Sequence, residues 1–294
     1  MDTKHWLALQ IAGLELELDA RDSGLDLAVP FIYEKFLKEN IVNSPIPDDG
    51  KGSLSVKVRN DPNWIVRRRG IALCLTEIWE LWIDENGGYV FISPRQSPPR
   101  RVRIDPDFKF GDVVGDFALN QEKGIYPLGS IDIRIVINWL AGFGDLILHA
   151  AGVRIMDCGY CFIGEAGVGK STLTTAISKN KDVTVLGEDQ VILRYLDGQF
   201  WIFGTPWHER IDMCSSMGVQ LKKMFILDRG MDQGIKPFSP SEGITRLLQT
   251  AFVPYYLTDK IHLIMDRLSI LGEDIPFFTL NYALGSDILP QIVD

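Results

Sequence analysis

The sequence predicts an α/β fold for residues 126–294, preceded by a smaller strand-rich α+β domain over residues 1–125. Three features carry this reading. The first 60 residues alternate apolar and polar side chains in short bursts of period two, the signature of half-buried strands, and the stretch 71–92 holds two apolar, aromatic-rich runs around a glycine turn. An apolar run, YCFIG (160–164), enters a glycine-rich segment that opens into the helix-like STLTTAISK (171–179). A second apolar run, VTVLG (183–187), ends in two adjacent acids, so strand and helix signals alternate as they do in α/β folds.

Composition narrows the functions further. The 294 residues carry 39 acidic against 30 basic side chains, a net charge of −9, which disfavours general affinity for a phosphate backbone and excludes a nucleic-acid binder of that kind. Hydrophobic residues at 46 % suffice to fill two cores. No apolar run reaches the roughly 18–20 residues of a membrane-spanning helix. The opening MDTKHWLALQ lacks a signal-peptide core, so a cytoplasmic location is expected, with no membrane partner. The four scattered cysteines are expected to be reduced thiols.

The elements follow in order. Residues 14–29 read as strands, residues 30–39 as a helix, and the Pro/Asp/Gly-rich stretch 44–52 as a loop. In EIWELWIDENGGYVFI (77–92), Asn86-Gly87-Gly88 between two aromatic-rich runs signals a hairpin. SPRQSPPRRVR (93–103) concentrates proline and arginine, and is expected to form an exposed connector outside any central strand. IDIRIVINWLAGF (131–143) has helical spacing and stops at Gly144. LILHAAGVRIM (146–156) and YCFIG read as strand runs joined by a turn at Asp157-Cys158-Gly159. Beyond residue 240, SEGITRLLQTAF reads as a helix with Ser241 as N-cap, and TDKIHLIMDRLSILG as a helix from Thr258 ending near Gly272. A last strand and a short tail complete the chain.

The chemistry concentrates in one segment. Gly164-Glu165-Ala166-Gly167-Val168-Gly169-Lys170-Ser171 fits G-x-x-x-x-G-K-[ST] in full, after a strand and before a helix. In such a loop the glycines let backbone N–H groups wrap phosphates. Lys170 neutralises the terminal ones, and the Ser171 hydroxyl, with Thr172 beside it, meets Mg²⁺ at the helix N-terminus. Glu188 and Asp189 end the next strand, where one carboxylate serves the metal and the other accepts a proton. Nucleotide and Mg²⁺ are thus the expected ligands. His149, at the end of LILH, is by itself an ordinary strand-edge histidine.

This order of residues resembles the C-terminal domain of the HPr kinase/phosphorylase family, which shares its nucleotide-binding core with ATP-type phosphoenolpyruvate carboxykinase. His149, the Gly164-to-Ser171 motif and Glu188-Asp189 fall where that family has its own, and Phe203-Gly204-Thr205-Pro206-Trp207-His208 looks like a G-T-P-W-H segment of uncharacterised relatives. The resemblance spans residues 131–294. It implies ATP as donor, with Lys170 on the β- and γ-phosphates, Ser171 and Asp189 on Mg²⁺, Glu188 as base toward an acceptor hydroxyl, and His149 near that acceptor. It also implies homo-oligomers, which occur in the family. Two positions depart from the pattern: the usual Asp-Asp is Glu-Asp here, and the loop serine is Ala166. The glycine-rich second signature of the bifunctional enzymes is missing, so the expected acceptor is a hydroxyl other than that of HPr, on a protein, a peptide or a small molecule.

Other features of the sequence carry less chemistry. Cys158-Gly159-Tyr160-Cys161 is a chance C-x-x-C and no zinc is expected. His208, Glu209 and Arg210 fit an acceptor pocket or a polar loop equally, Arg229 and Lys236 read as solvent-facing, and His262 as a structural helix residue. The expected function is a kinase-like transfer of the γ-phosphate of ATP, with the N-terminal domain selecting the acceptor. A nucleotide-binding adaptor without transfer and an ATP hydrolase are the alternatives.

Overall fold

The computed structural model describes residues 4–41, 52–117, 124–208, 210–228, 234–282 and 288–293. Most of the expected 44–52 loop, and the positions of Glu209 and Arg229, lie outside the described residues. The chain divides into two compact units, residues 1–42 with 48–136, and residues 43–47 with 137–294.

The first unit is an eight-stranded sheet of β1 (Trp6–Ile11), β2 (Leu14–Asp19), β3 (Ser53–Asn60), β4 (Ile71–Leu75), β5 (Glu80–Ile83), β6 (Tyr89–Ser93), β7 (Arg100–Ile104) and β8 (Phe110–Gly115), in the order β1-β2-β3-β8-β7-β6-β5-β4. Ala12 and Gly13, at φ 55° and 82°, make the two-residue turn that hydrogen-bonded β1 and β2 require. In β2 the period-two pattern is realised: Leu14, Leu16 and Leu18 are buried while Glu15, Glu17 and Asp19 alternate outward. The Asn86-Gly87-Gly88 hairpin joins β5 to β6, with Gly87 at φ 78°.

Three expectations for this unit are corrected. Residues 30–39 do not form an α-helix but two 3-10 turns, Phe31–Phe36 and Lys38–Asn40, split by the extended Leu37 at φ −61° and ψ 130°, with Tyr33 and Phe36 buried on the first. The unit is therefore almost wholly β rather than α+β. Residues 100–103 are not part of an exposed connector, since β7 lies between β8 and β6. Its arginines are accommodated by partners. The buried Arg100 guanidinium donates to the carbonyls of Pro98, Tyr126 and Pro127, while Arg101 and Arg103 pair with Asp112 and Asp84 on the neighbouring elements.

Helix α1 (Ile131–Ala141) contains the division between units. Its start belongs to the first unit, where Tyr33 and Tyr126 both donate to the buried Asp132, at 2.7 and 2.9 Å. The division consequently falls later than residue 125. At its end Gly144 takes φ 76° and Asp145 N–H closes on Leu140 O.

The second unit contains β9 (Leu146–Leu148), β10 (Ala151–Ile155), β11 (Cys158–Ile163), α2 (Lys170–Ile177), β12 (Val183–Gly187), β13 (Val191–Leu196), β14 (Gln199–Phe203), β15 (Gly218–Leu227), β16 (Gly234–Phe238), α3 (Pro240–Thr250), α4 (Thr258–Asp274), β17 (Phe277–Asn281) and α5 (Leu289–Val293). The sheet order is β12-β10-β11-β15-β14-β13-β9, and β17 pairs with β15 and β16. β11 is apolar throughout because both its faces are covered. Cys161 and Ile163 face one core with residues of α3 and α4, while Tyr160 and Phe162 face the other with residues of α2 and α5.

Local details differ from expectation. LILHAAGVRIM is two strands broken at His149-Ala150, and the turn before β11 is made by Met156 and Asp157, with Cys158 already in the strand. Ser239, not Ser241, is the N-cap of α3; Gly272 sits inside α4; and the tail carries α5. His262 is exposed on α4. Three residues apart on one strand, Cys158 and Cys161 point to opposite faces, and among the described residues no cluster of three His, Cys, Asp or Glu side chains is arranged for a metal. No helix among the described residues is long and apolar enough to cross a membrane.

Candidate functional site

Strand direction brings the candidate residues to one edge. β15 runs parallel to β11, β17 parallel to β15, and β10 is antiparallel to both β11 and β12, so β11, β12, β15 and β17 all end on the same side. Gly164, Glu188, Asp228 and Tyr282 follow those ends, and His149 precedes the antiparallel β10. The carboxyl edge of an α/β sheet is where such folds place ligands.

The loop between β11 and α2 has the conformation that its glycines permit. Gly167 and Gly169 adopt φ 76° and 119°, open to glycine without strain. Tyr282 donates to Gly169 O at 3.0 Å, and Lys170 reaches back to donate to Gly164 O at 2.8 Å and Glu165 O at 3.3 Å. The Lys170 ammonium is thereby held in the mouth of the loop with only 7 % of the residue exposed, and burial lowers its pKa while Asp189 opposes the shift.

A cleft of about 320 Å³ joins the loop to the acids. Ala166, Gly167, Gly169, Lys170, Ser171 and Thr172 line one side, and Glu188, Asp189 and His149 the other. A cavity of about 600 Å³ adjoins it through His149 and Ala166, and there Gly164, Glu165 and Val168 contribute to the wall. His149 Nδ1 lies 2.9 Å from Asp189 Oδ1, and Arg210 is 3.7 Å from the largely buried Glu188. His149, the 164–172 loop, Glu188 and Asp189 therefore meet at one place. Ser171 and Asp189 offer hydroxyl and carboxylate oxygens, the donors that suit Mg²⁺, an ion that keeps several waters and shares phosphate oxygens rather than filling a protein cage.

His208 lines neither cavity. Thr205 donates its hydroxyl to Gln190 O, so His208 Nε2–H donates to Thr205 Oγ1 at 3.0 Å. The ring packs so closely under Gly187 that a Cβ there would come within 2.8 Å of it. His208 thus braces the end of β12 from which the two acids project. Burial drives its pKa down from 6.5 to about 4, so the folded protein holds it neutral while the unfolded chain protonates it. Its contribution to stability is present above pH 6.5 and is lost as pH falls toward 4, by about 3 kcal/mol. Urea denaturation of wild type and His208→Gln between pH 7 and 4.5 checks this: the variant is expected to lose less stability on acidification than wild type.

Arg210, weighed in the sequence for an acceptor pocket or a polar loop, lies at this edge beside Glu188, and Asp228 and Tyr282 join it there without a distinguishing motif of their own. The one signal of Asp228 and Tyr282, a residue with a polar group directly after a strand, acquires meaning only when β15 and β17 are known to run parallel to β11.

No family model matches the chain, and no curated protein matches it. Solved structures do match, among them the HPr(Ser) kinase/phosphatase from Coxiella burnetii, which is 15 % identical, covers 50 % of this chain and 85 % of its own, and superposes with a TM-score of 0.29. A score of that size carries no argument about chemistry, which rests here on the loop, the acids and the cleft between them.

Proposed function

We propose that the second unit binds ATP with Mg²⁺ and transfers the γ-phosphate to a hydroxyl acceptor. The observation that supports this most directly is the position of Lys170, whose ammonium sits within the glycine loop and across one cleft from Glu188 and Asp189. Phosphoryl transfer needs charge neutralisation and positioning more than covalent chemistry. In this reading Lys170 and the backbone amides of residues 164–172 hold the phosphates. Ser171 and Asp189 hold Mg²⁺, which when bound neutralises phosphate charge. His149 keeps the Asp189 carboxylate oriented through their 2.9 Å contact. Glu188 takes the proton of the acceptor hydroxyl, and its longer side chain reaches one bond further into the cleft than an aspartate. The first unit selects the acceptor.

The test separates binding from chemistry. Glu188→Gln keeps the shape and the phosphate cradle, so ATP–Mg²⁺ binding is expected to stay within a few-fold of wild type, while transfer from γ-labelled ATP to a panel of hydroxyl acceptors falls by about 10²–10⁴. Equal transfer rates would remove Glu188 from the role of base. Label released only as inorganic phosphate would make water the acceptor and the protein a hydrolase.

A further inference from the structure

We propose that the free edge of β4 in the first unit is a docking site for an extended acidic segment of a partner protein, which adds to the sheet as a further strand. β4 ends the eight-strand order and, among the described residues, is hydrogen-bonded to β5 alone. Unpaired main-chain groups on such an edge are a template for another strand, and natural proteins normally blunt it. Here it is left apolar. Of the ten large hydrophobic side chains exposed among the described residues, four fall in this stretch: Ile65, Ile71, Leu75 and Ile78, each 61–70 % exposed.

The charge around the edge selects the occupant. Arg67, Arg68 and Arg69 lead directly into β4 across Gly70, whose φ of 107° and approach to Ile83 O leave no room for a Cβ. Arg68 is neutralised by a two-pronged pair with the buried Glu80 carboxylate. Arg67 and Arg69 are exposed and form no ion pair among the described residues. The chain as a whole carries −9, so this rim has the opposite sign from the molecule that bears it. A second copy would bring the same arginines and another −9, and like charges oppose that pairing. The register skip between Ala72 and Cys74 is a bulge that twists the edge, which hinders long, flat self-pairing but not the addition of a short strand that follows the twist. In strand addition the main chain supplies affinity and alternate side chains supply specificity. The segment that fits therefore alternates apolar residues, lying beside Ile71 and Leu75, with acids that reach Arg67 and Arg69.

The probe is a fluorescein-labelled, C-terminally amidated octapeptide of alternating valine and glutamate, titrated with the full chain and followed by fluorescence anisotropy. Saturable binding is expected. It should weaken by about tenfold or more in Arg67→Glu/Arg69→Glu, and disappear when the peptide is N-methylated at every second residue on its pairing edge. Both arginines are exposed, so the double variant is expected to keep the wild-type Tm. The proposal is overturned by no saturable binding, by equal binding of the valine–lysine peptide, or by binding that ignores the charge reversal. It is also overturned if sedimentation velocity shows a dimer that Ile71→Lys splits, since the occupant would then be a second copy.

Discussion

Lys170→Ala is expected to abolish the thermal stabilisation that ATP–Mg²⁺ confers on the wild-type protein. A ligand at 100 times its Kd stabilises the folded state by about 2.7 kcal/mol, which for a unit of this size raises Tm by roughly 5–10 °C. Differential scanning fluorimetry with and without ATP–Mg²⁺ on both proteins measures it, each protein serving as its own reference. This matters because Lys170 also donates to two loop carbonyls, so the variant without ligand is expected to melt at a different temperature from wild type. Gly169→Ala should lose the same ligand shift for a geometric reason. A side chain at φ 119° is strained, and its Cβ would lie 3.2 Å from the Tyr282 hydroxyl that holds the loop. Absence of any shift in wild type would refute nucleotide binding itself.

The largest loss of stability is expected at Asp145→Ala. Asp145 Oδ2 accepts from Arg194 Nε at 2.8 Å and Oδ1 from the Tyr195 N–H at 3.0 Å, with both ion-pair side chains only 1 % exposed. Desolvation outweighs the attraction of Arg194 and pushes the Asp145 carboxyl up to about 6. The pair therefore adds little net stability, but removing one member leaves the other charge buried, at a cost of about 3–5 kcal/mol. Chemical denaturation of Asp145→Ala should show that loss. Asp145→Leu/Arg194→Met, which removes both charges and keeps apolar bulk, is expected to recover most of it. If the double variant is as unstable as the single one, packing around the turn after α1, rather than charge, is what the pair provides.

Residues 164–171 were legible because their function is local: glycines for positive φ, a lysine and a hydroxyl at a helix start are neighbours in sequence and remain neighbours in the fold. The same holds for Leu14, Leu16 and Leu18, whose alternation is the pleat itself. The misreadings share a cause. Arg100 looked solvent-bound because most of its compensation comes from the carbonyls of Tyr126 and Pro127 and the ring of Phe117, which only tertiary contact supplies. Residues 30–39 looked like one helix because their composition permits it, whereas the extended Leu37 divides them into two 3-10 turns.

By itself the sequence determined the strand–loop–helix unit around Lys170, the acids after β12 and the mixed strand-and-helix character of the second unit, since each depends on periodicity or backbone freedom over a few residues. Only the tertiary structure decided that His149 meets Asp189, that Tyr282 clasps the loop, that His208 braces β12 and that β4 ends the sheet among the described residues. Those outcomes depend on strand order and direction, which are settled by closing long loops around a shared core. No local pattern of side chains encodes the energy of that closure.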